Sequence, residues 1–214
     1  MKPHSCFVVS NKPHLFPLIQ QSIAPEKVSL FNGEGFESFS RLVNSCTAAA
    51  PTEIVIVMSD KVRPTHAQVQ KTVDLVEQGY GLVGLYRFGF FGFKKQLMRQ
   101  IGMFDERYVG GGYEDDDMYI RLKEANIAMY ITEEMLYEKS TSSWNYARAR
   151  PHFVDKWLDT DSPLYGDSSR HASEFVKRKL PEQRLDYDLG PSVAAKFLPW
   201  SRTVATPRKS KKYI

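Results

Sequence analysis

Short apolar runs alternate with segments of helical periodicity along the first part of the chain. The apolar runs predict strands at residues 6–10, 27–32, 53–58 and 81–86. Apolar residues three and four positions apart predict helices at residues 15–23, 38–49 and 65–78. This alternation predicts an α/β fold in which helices flank a central, mostly parallel sheet.

Polar residues stand where the predicted strands end. They are Ser10, Asn11, Asn32, Ser59 and Asp60. Because the ligand crevice of such sheets lies beyond the carboxyl ends of the strands, we expect these side chains to line it. Asp60 can hold a divalent cation that neutralises a diphosphate, or it can simply cap a turn, and the residues alone leave both open.

The second half of the chain carries the unusual stretch GGGYEDDD, residues 110–117. Glycines allow backbone conformations closed to other residues and a close approach to a ligand. The acids begin a predicted helix whose buried side holds Met118, Leu122 and Ala125, and a carboxylate there can act as a general base. A solvated turn that leads into a helix is the alternative.

Composition narrows the class of protein. The chain has 214 residues, 42% of them apolar, and a net charge of +4, much of it in residues 201–214. We expect one domain over residues 1–200, followed by a basic tail or linker. With the basic residues scattered elsewhere, we expect no nucleic-acid partner. Cys6 and Cys46 lack metal or disulfide spacing, and no segment is long and apolar enough to span a bilayer, so we expect buried or free thiols and a cytoplasmic protein.

Two motifs together resemble a known family. The strand-end sequence IVMSDKV, followed some fifty residues later by FDERYVGGGYEDDDMYIRL, is similar to the nucleotide-sugar glycosyltransferases of GT-A fold. The second motif resembles the galactosyltransferase sequence of glycines followed by Glu-Asp-Asp-Asp. The whole chain also resembles the amino-terminal domain of multidomain glycosyltransferases encoded by chlorella viruses, which implies a viral protein with further domains beyond its carboxyl end.

The resemblance implies a nucleotide-binding half over about residues 1–90 and an acceptor-binding half over about residues 91–200. It also assigns roles position by position. It implies nucleotide binding by Ser10, Asn11, Asn32, Arg41, Asn44, Ser59 and Asp60. It implies a catalytic base at Asp115, and sugar or acceptor contacts from Gly111, Gly112, Glu114, Asp116 and Trp144. From the residues alone, Trp144 either stacks on a sugar or belongs to the core.

The chain departs from the family in its metal motif. Met58 or Ser59 replaces the first acid, which leaves Asp60 as the main ligand for Mn²⁺ or Mg²⁺. The histidine that often completes such a site is missing, and either Glu138 supplies an oxygen ligand in its place or Lys139 neutralises phosphate directly. The resemblance implies transfer of a glucose-type or rhamnose-type sugar from UDP to a glycan or glycoprotein hydroxyl, with inversion. A metal-dependent phosphoester hydrolase and a non-catalytic nucleotide-sugar binding module remain as alternatives.

Overall fold

A computed structural model describes residues 2–10, 12–33, 38–132, 134, 136–137, 146–157, 178–200 and 202–204 of the chain. The strands in these residues are β1 (His4–Ser10), β2 (Val28–Asn32), β3 (Ile54–Ser59), β4 (Val62–Arg63), β5 (Leu82–Phe88), β6 (Phe90–Lys94), β7 (Met129–Ile131), β8 (Leu136–Tyr137) and β9 (Arg202–Val204). The α-helices are α1 (Phe16–Ser22), α2 (Phe39–Ala49), α3 (His66–Glu77), α4 (Lys95–Ile101), α5 (Glu114–Glu124) and α6 (Tyr146–Trp157), and a short 3-10 helix covers Pro13–Leu15.

Seven of the described strands form one sheet in the order β2-β1-β3-β6-β5-β7-β9. All of its neighbouring pairs are parallel except the two that involve β6. The reversal follows from the connection, because β5 and β6 are separated by Gly89 alone and a parallel crossover needs a dozen or more residues. The predicted α/β fold with a mostly parallel sheet is confirmed.

The sequence pattern located the elements of the first half within a few residues. The predicted strands at 27–32 and 53–58 correspond to β2 and β3, and the predicted helix at 65–78 corresponds to α3. Thr65 is the N-cap of α3 and forms a capping box. Its side chain accepts a hydrogen bond from the Gln68 amide, while the Gln68 side chain accepts one from the Thr65 amide. Helices α4 and α6 were not predicted.

The strands bury both of their faces. Phe7 and Val9 of β1 lie in a core that also contains residues of α2, α4 and α5. Cys6 and Val8, which alternate with them, lie in a second core against α1 and α3. Two helical layers therefore cover the sheet, which explains why the strands read as continuous apolar runs. Cys6 and Cys46 are buried free thiols, as predicted.

The end of the chain also contacts this fold. Leu185, Leu189, Phe197 and Trp200 pack on the first core, and β9 pairs with β7 at the edge of the sheet. Three residues of the predicted tail thus belong to the sheet, and the domain limits stay a prediction. Among the described helices, none combines the length and the apolar character needed to cross a bilayer.

A close approach between β6 and α3 gives a stability test. A Cβ on Gly92 would lie 2.5 Å from Cγ2 of Thr72. We expect Gly92→Ala to lower the free energy of unfolding by about 1–3 kcal/mol, because buried overpacking forces the helix to shift. Chemical denaturation of the variant and the wild-type protein measures this loss.

A second substitution isolates the cause. Thr72→Ser removes the methyl group but keeps the hydroxyl that donates to the Gln68 carbonyl over 2.9 Å. The Gly92→Ala/Thr72→Ser double variant should therefore lose less stability than the sum of the two single variants. Additive losses would contradict the proposed clash.

Candidate functional site

The carboxyl ends of β1 and β3 meet at a buried hydrogen bond. Ser10 Oγ donates to Asp60 Oδ2 over 2.6 Å, and both residues are buried. The register of the two parallel strands brings them together, because Val9 pairs with Ser59. The structure thus brings Ser10 and Asp60 together, and their part in ligand binding stays a prediction.

Two further predicted residues border this contact. Asn32 pairs with Ser10 across β1 and β2, and its side chain is exposed at the same edge. The Ser59 amide donates to the Gly89 carbonyl, which joins β3 to the turn between β5 and β6. The edge therefore presents polar groups from three strands and one turn.

Basic side chains lie beside Asp60. Burial lowers the pKa of Lys61, and the negative charge of Asp60 opposes that effect while the charge of Lys12 adds to it. The Lys12 amide donates to Ser10 Oγ over 2.7 Å, and Arg63 Nη1 donates to the Asp60 carbonyl over 2.8 Å. Within the described part of the chain, the Asp60 carboxylate thus lies among several cations.

The glycines of GGGYEDDD adopt backbone angles that explain their presence. The φ angles are 86° at Gly110, 77° at Gly111, 101° at Gly112 and 68° at Tyr113. Four consecutive left-handed residues would be costly for ordinary side chains, at roughly 1–2 kcal/mol each, whereas glycine adopts them freely. Tyr113 is held in place by stacking on Phe153, with ring centroids 5.1 Å apart.

This left-handed segment aims the first turn of α5. The helix begins at Glu114, as predicted, and leads directly into β7, which is parallel to β5. The start of α5 therefore lies on the carboxyl side of the sheet, the same side as Ser10 and Asp60. Met118 and Leu122 are fully buried beneath it, as the sequence predicted.

The four acids of that turn occupy different environments. Glu114, Asp115 and Asp116 are half-buried, whereas Asp117 is fully buried. Glu114 Oε2 is shielded from solvent and has no hydrogen-bond partner in the described part of the chain. Burial, together with the charges of Asp115 and Asp116, raises the pKa of Glu114 from 4.5 to about 8. Glu114 therefore carries a proton at neutral pH.

Asp117 is the centre of a buried polar network under the helix. Its Oδ1 lies 2.6 Å from Lys156 Nζ and accepts from Trp157 Nε1 over 2.8 Å and from the Tyr108 hydroxyl over 3.2 Å. Its Oδ2 accepts from Arg121 Nε over 2.8 Å. These contacts fasten α5 to α6.

Asp105 extends the network into the loop before α5. It accepts from Lys156 Nζ over 2.9 Å, from Arg107 Nη2 over 2.7 Å and from His152 Nε2 over 3.1 Å. Burial alone would raise the pKa of Asp105, but the hydrogen bonds from His152 and Arg107 and the charge of Lys156 outweigh it and hold that pKa well below its usual range. Lys156 is thus shared between two buried carboxylates.

The network also includes Glu182, which lies in the described segment 178–200. Glu182 Oε2 lies 3.2 Å from Lys156 Nζ and 3.4 Å from Arg121 Nε. Arg121 Nη1 donates in addition to the carbonyls of Ile101, Gly102 and Met103. One set of charges therefore connects α4, α5, α6 and the segment that contains Glu182.

Two predicted nucleotide contacts lie on α2. Arg41 is exposed there. Asn44 is fully buried, and its amide group donates to the Phe104 carbonyl and to Glu106 while it accepts from the Phe104 amide. In this structure Asn44 holds the loop before α5, and its contact with a nucleotide stays an untested prediction.

Three predicted site residues, Asn11, Glu138 and Trp144, lie outside the described residues. The sequence reasoning in turn missed Asp105, Asp117, Arg121 and Lys156 as a unit. The spacing of Asp117 and Arg121, four residues apart on the same side as Met118 and Leu122, was the available signal, because a charged pair on an apolar helix face needs internal partners.

The described residues fit a divalent metal only in part. They contain no cluster of three His, Cys, Asp or Glu side chains able to hold an ion. Asp60 supplies one carboxylate, already bonded to Ser10, while Met58 is buried and offers no hard oxygen ligand. The backbone of Tyr137 pairs with Val62, two residues after Asp60, which brings β8 to this edge.

Comparisons with known proteins give a family match for part of the chain and a structural match for most of it. Residues 79–142 match the sequence model of a family described as the N-terminal domain of galactosyltransferase, and this segment contains GGGYEDDD. Among curated proteins, no match to the chain was found. A solved structure of a mutant Drosophila beta-1,4-galactosyltransferase 7, in complex with manganese, UDP-Gal and xylobiose, aligns over 83% of this chain and 81% of that chain, with 13% identity and a TM-score of 0.42.

The buried network predicts a large stability loss on removal of its central cation. We expect Lys156→Met to lower the free energy of unfolding by about 3 kcal/mol or more, because it leaves the buried charges of Asp105 and Asp117 without their shared partner. Denaturant titration provides the measurement. Lys71→Met is the matched control, since Lys71 pairs with Glu134 at the surface and we expect a loss of about 1 kcal/mol or less. Equal losses in the two variants would contradict this account.

Glu114 predicts a pH dependence of stability. Its pKa of about 8 lies above the unfolded value of 4.5, so the folded state binds more protons between these pH values. The free energy of unfolding should then fall as pH rises from about 5 to 8. Below that window Glu114 is protonated in both the folded and the unfolded state, so it causes no change of stability with pH. Glu114→Gln removes the titration, and stability curves of the two proteins should converge at low pH and separate as pH rises. Parallel curves would contradict the raised pKa.

Proposed function

We propose that the chain is a nucleotide-sugar glycosyltransferase of GT-A type, which transfers a hexose or deoxyhexose from a UDP-sugar to a glycan hydroxyl. One observation carries the proposal. The left-handed loop and the acid-bearing turn of α5 lie within the segment that matches the galactosyltransferase family. They face the carboxyl side of a mostly parallel sheet, where ligands of such folds bind.

Asp115 is the proposed general base. It is half-buried in the first turn of α5, where the helix dipole favours a carboxylate. Its neighbour Glu114 is protonated at neutral pH, which reduces the repulsion that four adjacent acids would otherwise cause. A carboxylate in this position can accept the proton of an acceptor hydroxyl.

The residues around Asp115 are proposed to hold the sugars. Gly111 and Gly112 are buried beside the acids, and they are proposed to contact the sugar through the bare backbone that glycine leaves. Glu114 Oε2 lacks a partner in the described residues, and its protonated carboxyl group can donate to a sugar oxygen. Asp116 lies on the same turn and supplies a further acceptor. Trp144 is retained as a proposed stacking residue.

The nucleotide is proposed to lie along the strand ends. Ser10, Asn32, Ser59 and Asp60 share that edge, and Asn11 is proposed to join them. Arg41 is proposed to approach from α2. Asn44 would act through the loop that it holds, since its amide group is already bonded to Phe104 and Glu106.

A divalent ion is proposed to assist donor binding, with Asp60 and Glu138 as its protein ligands. When bound, Mn²⁺ or Mg²⁺ would neutralise charge on the diphosphate. Asp60 alone is a weak site by the standard of oxygen-ligated cations, which take six or more ligands. The protein must therefore supply charge from other groups as well.

The proposed reaction is a single displacement with inversion. The acceptor oxygen forms a bond to the anomeric carbon while the bond from that carbon to the β-phosphate oxygen breaks. The bonding electrons leave with UDP, and the acceptor proton passes to Asp115. The donor sugar is proposed to be glucose or rhamnose, and galactose belongs in the same screen because the matched family is described as a galactosyltransferase.

The role of Asp115 predicts a separation of catalysis from binding. We expect Asp115→Asn to lower the rate of sugar transfer at least a hundredfold while UDP affinity stays within about twofold, because only the proton acceptor is lost. Transfer is measured with UDP-sugars and a panel of glycan acceptors, and UDP affinity by calorimetry.

Asp74→Asn is the control for this test, since Asp74 is exposed on α3. Its transfer rate should match that of the wild-type protein. An Asp115→Asn protein with full activity would refute the proposed base. Wild-type protein that binds UDP but transfers none of the sugars would favour the binding module instead.

The metal proposal predicts a response to Mn²⁺ that depends on Asp60. We expect UDP to bind the wild-type protein more tightly with Mn²⁺ than with a chelator, and we expect Asp60→Asn to remove that difference. The amide keeps an oxygen for the Ser10 hydroxyl and so preserves the local hydrogen bond. Calorimetric titrations of UDP with Mn²⁺ and with a chelator measure this difference in affinity. An undiminished Mn²⁺ effect in the variant would exclude Asp60 as a ligand.

A further inference from the structure

Lys12 and Lys61 lie at the strand-end edge of Ser10 and Asp60, which is proposed to bind the donor and is called the donor edge. Neither lysine has an anionic partner in the described residues. Lys12 follows β1 and Lys61 follows β3, and the pairing of Val9 with Ser59 makes these strand ends neighbours. Both side chains are half-buried, and each lies close enough to feel the charge of the other. No carboxylate of the described residues lies within 4 Å of either ammonium group. By contrast, the half-buried Lys94 has Glu77 at 2.9 Å.

Among the described residues, the local charge balance is positive. The charge of Asp60 acts on Lys61, and Asp60 Oδ2 already accepts the Ser10 hydroxyl. One carboxylate therefore faces two ammonium groups, with the Arg63 guanidinium bonded to the Asp60 carbonyl on the same loop. Half-buried cations that repel each other destabilise the folded state unless an anion lies between them.

We propose that Lys61, assisted by Lys12, forms an anion subsite that takes the diphosphate of the donor. This inference rests on the proposed function. The ammonium group is a compact point charge that binds phosphate oxygens without a fixed geometry. At this site it provides the neutralising charge that a single acid with a metal ion supplies only in part. The donor consequently keeps substantial affinity when divalent metal is removed.

Calorimetry in the presence of a chelator tests the subsite with three probes, which are UDP, uridine and inorganic pyrophosphate. We expect the wild-type protein to bind UDP more tightly than uridine, and to bind pyrophosphate measurably. Lys61→Met should weaken UDP and pyrophosphate about tenfold and leave uridine unchanged, since one charge-assisted contact to phosphate is lost. Lys61→Arg keeps the charge and should retain most of the affinity.

Two further variants test whether the loss of affinity is specific to the subsite. Lys27→Met removes an exposed lysine just before β2, at the opposite end of the strand, and should leave all three affinities unchanged. Lys12→Met provides a second test of the subsite if Lys61→Met folds poorly, and it should weaken the same two probes. Thermal unfolding of each variant verifies the fold.

The outcomes separate this inference from the proposed function. Unchanged UDP and pyrophosphate affinities in Lys61→Met would overturn the subsite while leaving UDP binding, and so the transferase proposal, intact. Pyrophosphate binding that depends on Lys61, in a protein that does not bind UDP, would support the subsite and count against a UDP-sugar donor. A wild-type protein that binds neither UDP nor pyrophosphate in the chelator would overturn the subsite, and failure to bind UDP with Mn²⁺ as well would overturn both.

Discussion

The position of α5 depends on a group of charges that have no contact with water. Lys156 Nζ lies between carboxylates of Asp105 and Asp117, and Arg121 completes the group from the next turn of α5. Buried charges are tolerated only when each has its partners, so a helix shifted by one residue would leave several of them unpaired at a cost of several kcal/mol. The network therefore selects one placement of α5 on α6, and with it one direction for Glu114, Asp115 and Asp116.

The left-handed segment acts on the same helix from its other side. Three glycines and Tyr113 turn the chain sharply, and the stacking of Tyr113 on Phe153 of α6 fixes where the turn ends. The four acids that follow are then separated by environment, since Asp117 points into the network while Glu114 is shielded from solvent and protonated at neutral pH. The sequence EDDD is stable at a helix start because its members do not share one charge state or one solvent exposure.

The sequence predicted those features that depend on residues close together in the chain or at the ends of neighbouring strands. Buried strands, the helix start at Glu114 and the convergence of Ser10 with Asp60 follow from apolar periodicity and from the geometry of parallel strands. The aromatic run at residues 87–93 fits a buried strand and a turn, but the reversal of direction at Gly89 that makes β6 antiparallel was not predicted. The network was missed because its members come from positions 105, 117, 121, 156 and 182, and no spacing rule joins residues so far apart. Asn44 shows the same limit, since its amide group satisfies the distant loop of Phe104.

The two sides of the candidate site therefore rest on different kinds of interaction. The edge proposed to bind the donor is built from residues at or just after the ends of neighbouring strands, so the sheet itself brings Ser10, Asp60 and Lys61 together. The side proposed to bind the acceptor is built from a helix whose direction is set by α6 and by Glu182, both remote in sequence. Changes in α6 or near Glu182 should consequently disturb the placement of Asp115 before they disturb the contact between Ser10 and Asp60. Under the proposed function, variation in the segments that hold α5 would change the choice of acceptor while the sheet preserves the proposed donor edge.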